Sequence, residues 1–120
     1  MNARHVAVWI DHQEAKIFAV EADTFELRAI AAPHHHVARK ADEHGHHADT
    51  PFFHRVALAL EGSDHVIVVG PASAKLDFIR HVAQHHHALD KKIVGVETLD
   101  HPTDKQFVAY ARHYFRARDL

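Results

Sequence analysis

The sequence predicts a single α/β domain, residues 1–120, built on a mixed five-stranded sheet in the order β-β-β-α-β-α-β-α. Three observations carry this. The first third holds three short β-rich segments joined by brief turns, the pattern of antiparallel neighbours. The remainder alternates helical periodicity with aliphatic runs, the pattern of strands joined in parallel by helical crossovers. A length of 120 residues with 47% apolar content is enough for one hydrophobic core.

The elements follow in order. HVAVWID, residues 5–11, is rich in Val, Ile and Trp and reads as a strand, with a turn around Asp11 and His12. AKIFAVE, 15–21, is its hairpin partner. TFELRAIA, 24–31, alternates: Phe25, Leu27 and Ala29 are expected on a buried face, Thr24, Glu26 and Arg28 on a wet one. Thr50-Pro51 opens a helix as hydroxyl N-cap and first-turn proline; Phe52, Val56, Ala59 and Leu60 share a face, and Gly62 closes it. HVIVVG, 65–70, is an unbroken aliphatic run and reads as a strand buried on both faces. A helix over 72–86 is expected to bury Ala72, Leu76, Ile79 and Ala83, with Val82 widening the stripe. KIVGVET, 92–98, reads as a second buried strand. Thr103 and Gln106 fit a capping box ahead of a helix to Ala117 with Phe107, Tyr110, Ala111 and Tyr114 inward.

Composition excludes several classes. No apolar run approaches the 18 or so residues of a membrane span. The opening MNARHVAVWID is too short in apolar content for a signal peptide, and cysteine is absent, so a cytoplasmic protein is expected, without disulfides or thiolate metal sites. With 14 basic and 16 acidic residues, the chain is not a strongly basic nucleic-acid binder. Its 16 histidines qualify that. At ordinary pKa values they move the net charge from −2 with all neutral to roughly +2 at pH 7 and about +6 at pH 6.5. Attraction to phosphate is therefore expected to rise as pH falls.

VAVWIDHQEAKIFAV, VIVVGPASAKLDFIRHV and KKIVGVETLDHPTDKQFVAYARHYF together cover most of the chain outside residues 33–50. They resemble, in turn, the opening hairpin, the strand, Gly-Pro turn and helix, and the closing segment of the middle domain of archaeal and eukaryotic class I peptide-chain release factors and of Pelota-type ribosome-rescue proteins. The last piece resembles stand-alone bacterial relatives. The resemblance implies a ribonuclease-H-like topology and a role in translation with ribosome or tRNA as partner. In release factors the segment between the third strand and first helix carries a Gly-Gly-Gln loop that helps water cleave peptidyl-tRNA. Here that segment is PHHHVARKADEHGHHADT, with Gly45 as its one glycine and no glutamine. The resemblance thus implies a non-catalytic domain.

Six of those eighteen residues are histidine. His34, His35, His36, His44, His46 and His47 are candidate ligands for zinc or nickel, with Asp42, Glu43 or Asp49 as supplementary donors. Adjacent side chains point apart, so the spacing favours a hydrated segment binding such ions adventitiously. Arg39, Lys40, Gly45, His46 and His47 are the candidate RNA contacts, because cationic and imidazole groups meet phosphates and stack on bases. A metal-binding protein acting through this tract is the alternative function.

Elsewhere, His81 and His85 have the i, i+4 spacing that can chelate a metal, but both lie off the expected apolar stripe and are expected at the surface. His86 and His87 fit a helix end. His5, His12, His54, His65, His101 and His113 are scattered. A metal-dependent nuclease would need converging carboxylates; Asp11, Glu61 and Asp100 are available, yet HVIVVG supplies none, and Asp11 reads better as a turn former. VVGPASAK lacks the second glycine and the lysine-hydroxyl ending of a phosphate loop. An exposed strand or helix face would support a homodimer.

Overall fold

A computed structural model describes residues 3–33 and 46–120, with the backbone alone for 46–48. Among these residues five strands form one sheet: β1 (His5–Ile10), β2 (Glu14–Val20), β3 (Phe25–Ala31), β4 (His65–Gly70) and β5 (Ile93–Thr98). The order is β3-β2-β1-β4-β5. β1 pairs antiparallel with β2, and β2 with β3; β1 pairs parallel with β4, and β4 with β5. The helices are α1 (His46–Leu60), α2 (Ala74–His85), a single turn α3 (His87–Asp90) and α4 (Asp104–Ala117). This is the predicted mixed sheet and connectivity.

Two cores form on the two faces. On one, Val6, Val8, Ile17, Val66 and Val68 meet Phe52, Phe53, Val56 and Leu60 of α1 and Phe78 and Val82 of α2. On the other, Ala7, Trp9, Phe18, Ile67 and Val69 meet Phe107, Val108, Ala111, Tyr114 and Phe115 of α4. Alternation along the strands sends successive side chains to opposite cores. The predicted capping box at Thr103 is present, with both reciprocal bonds to Gln106. Gly62 ends α1 at φ 90°, as a C-terminal glycine does.

Four expectations are corrected. α1 begins at His46, so Pro51 lies inside it rather than at its first position; the proline has no N–H to give the preceding turn, and the fully hydrogen-bonded part of the helix follows it. β3 does not bury Phe25 and Leu27, which are 39% and 41% exposed; it buries Ile30, on the other face. β3 is an edge strand that α1 covers at Ile30, while α4 packs on β2 and stops short of it. β5 is the opposite edge rather than a doubly buried strand, and Val94 and Val96 are partly exposed because α2 lies over β4. Finally, α2 buries Ala74, Lys75, Phe78, His81 and Val82, whereas Leu76 is 50% exposed and Ala72 and Ala83 face solvent. Phe78 offers more apolar area than Leu76 or the alanines, and it sets the inward face.

Candidate functional site

The carboxyl ends of β1 and β4 lie side by side. Gly70 permits this, since a Cβ there would stand 2.2 Å from the carbonyl oxygen of Ile10. Beyond β1, Asp11 Oδ1 accepts from the backbone N–H groups of Gln13 at 2.8 Å and Glu14 at 2.9 Å, so Asp11 is the expected turn former. Next in the chain, His12 Nδ1 lies 3.3 Å from Asp49 Oδ2 and its Nε2 3.4 Å from Ser73 Oγ. The order Ser-His-Asp is that of a hydrolytic relay. The separations are at the long end for hydrogen bonds, and His12 is half exposed. The contact ties the β1–β2 turn to α1 and to Ser73, the N-cap of α2. Lys75, buried in the same turn, donates to the carbonyl of Ala72 at 2.5 Å.

A second constellation is built where α1 crosses the C-terminal half of α2. Setting α2 by Phe78 carries His81 onto the buried face beside Val82. Its ring is 8% exposed and sits 5.9 Å from that of Phe53. His86 stops α2: its φ of −138° leaves the helix while its N–H still donates to the Val82 carbonyl at 2.8 Å. That turn, held by buried Leu89 of α3, brings His86 back toward α1. There His54 Nδ1 and His86 Nε2 are 3.3 Å apart, and one ring nitrogen from each of His54, His81 and His86 lies within 4.8 Å of the others. The ring of His85 lies 4.8 Å from that of His81.

Burial and neighbouring imidazoles favour the neutral form of two members, His81 and His86. His81 is lowered to about 4, first by burial and then by the neighbouring imidazoles of His85, His86 and His54. His86 is also lowered by burial and by His54, against the pull of Glu61. Neutral imidazoles offer lone pairs, the form that ligates metals. His81 Nε2 is buried without a hydrogen-bond partner. Such a group is costly and rare in folded proteins.

The expected surface pair is therefore split: His85 is exposed, while His81 is inside and faces His54 and His86. His54 belongs to the cluster rather than standing alone. The missed signal was Phe78, three residues before His81 on the same face. The meeting of α1 with α2 has no local sequence signal. His34, His35, His36, Arg39, Lys40, His44 and Gly45 lie outside the described residues, as do the side chains of His46 and His47. Asp11 and Asp100 are engaged elsewhere, the latter with His101 at 2.8 Å. Among the described residues no group of carboxylates converges as a nuclease site requires. No described helix is long and apolar enough to cross a membrane.

No protein-family model matches the sequence, and neither does any curated protein. Solved structures do match. Archaeoglobus fulgidus Pelota aligns with a TM-score of 0.68 at 20% identity, over 94% of this chain and 32% of its own. Thermoplasma acidophilum Pelota gives 0.63 at 21% identity, over 94% and 31%. The archaeal translation termination factor aRF1 gives 0.58 at 14% identity, over 97% and 40%. The chain thus has the fold of part of these proteins, the release-factor middle-domain type, and spans about a third of the Pelota length.

Proposed function

We propose that the chain is a non-catalytic, translation-associated domain that acts in the cytoplasm by contacting the ribosome or tRNA. The observation that carries this reading is the shared fold with Pelota and with a translation termination factor across nearly the whole chain. The segment between β3 and α1 has no Gly-Gly-Gln, so ester hydrolysis is not part of the proposal. In its place Arg39, Lys40 and the flanking histidines supply cations for phosphate, more of them as pH falls.

Co-sedimentation with ribosomes tests this. The protein is expected in ribosomal fractions, with weaker retention at higher salt and after Arg39→Glu with Lys40→Glu. Its absence from those fractions in both normal and stalled translation contradicts the reading. A purified-ribosome assay is expected to show no peptide release.

A further inference from the structure

We propose that His54, His81 and His86 form a binding site for one divalent transition-metal ion of the zinc type, separate from the histidine tract at 34–47. The site goes beyond the translation reading and does not depend on it.

Convergence is the first argument. Tetrahedral zinc with nitrogen ligands at about 2.0–2.1 Å holds those nitrogens about 3.3–3.4 Å apart. His54 Nδ1 and His86 Nε2 already stand at 3.3 Å. All three nitrogens lie within 4.8 Å of one another, so small side-chain rotations would bring them to zinc distance. Three protein ligands leave a fourth position for water, as in open zinc sites.

The second argument is the buried, unpartnered Nε2 of His81. A metal ion needs a lone pair there. Imidazole without thiolate suits zinc, nickel, cobalt or copper over magnesium or calcium. Bound metal would clamp α1 to the α2–α3 turn, because the ligands come from both.

The groups facing the cluster are His85 on α2 and Glu61 just after α1.

The test begins with a variant in which His34, His35, His36, His44, His46 and His47 are all replaced by Asn. Calorimetry with zinc chloride is expected to show one equivalent bound, and cobalt(II) a tetrahedral absorption spectrum. In that background His54→Ala and His86→Ala should each weaken zinc binding at least tenfold, with little change in metal-free thermal stability, since both side chains reach the surface. His81→Phe should abolish binding; if it fails to fold, the His54 and His86 variants still decide. A tract-free protein that binds no zinc overturns the proposal, as does binding that survives His54→Ala and His86→Ala unchanged. Ribosome co-sedimentation of His54→Ala should be unaltered, so the two readings fail separately.

Discussion

The two faces of the sheet are closed by different means. On the α4 face a single amphipathic helix lays Phe107, Tyr114 and Phe115 over the strands. Trp9 Nε1 there donates to the Asp100 carbonyl at 2.8 Å and the Arg118 guanidinium sits 3.6 Å over the Tyr114 ring, while His5 Nε2 and His65 Nδ1, beside Phe115, are buried without a partner. The opposite face takes two helices, and where they cross, a histidine stands in the apolar layer with one ring nitrogen unsatisfied. Both faces thus bury imidazole nitrogen without a partner, but only on the α1–α2 face do three histidines, His54, His81 and His86, converge among the described residues.

The largest expected effects probe what the two faces share. Phe78→Ala and Phe107→Ala should each cost about 3–5 kcal/mol in urea unfolding, because both rings are fully buried. A much smaller loss at Phe78 would mean that α2 is docked by its other stripe.

Next comes the pH response, to which His81 and His86 contribute on one face and His5 on the other. The folded pKa of His81 is about 4, below its ordinary value of 6.5. Between those values the unfolded chain takes up a proton that the folded one refuses. Stability therefore falls as pH drops from 6.5 toward 4, by about 3 kcal/mol for this group. His5 and His86, also lowered, add in the same direction. His81→Phe should flatten the acid limb of a stability–pH curve. An unchanged slope would show that His81 is not held neutral.

Gly95→Ala should cost about 1–3 kcal/mol, because its Cβ would fall 1.9 Å from Tyr114 Oη and push α4 off β5. Thr103→Ala removes one bond of the capping box and should cost about 1 kcal/mol. Smallest of all, Leu76→Ala should stay within about 0.5 kcal/mol, since that side chain is half exposed.

Legibility in the sequence followed the same division. α4 could be placed from Thr103 and Gln106 and from aromatic residues that leave one choice of face. β1, β2 and β4 were readable because they are central, and local pattern suffices there. The edge strands were not: Leu27 and Val96 look like core residues, and whether a helix covers them depends on where α4 and α2 end up. In α2 the apolar residues nearly encircle the helix. Choosing Leu76 over Phe78 turned the wrong side inward and put His81 in water. The i, i+4 spacing of His81 and His85 was visible, yet the partners that matter, His54 and His86, meet only through tertiary packing.

The central claim, that this face holds a converging trio of imidazoles with His81 kept neutral by burial, is tested most directly by long-range proton–nitrogen NMR of the histidine rings. Spectra would be followed from neutral pH down to about 4, with and without one equivalent of zinc. His81 should stay neutral until about pH 4, below the ordinary imidazole value of 6.5. Zinc should shift His54, His81 and His86 together. A His81 that titrates with the exposed rings, or zinc that moves only the resonances of the 34–47 tract, would contradict the account.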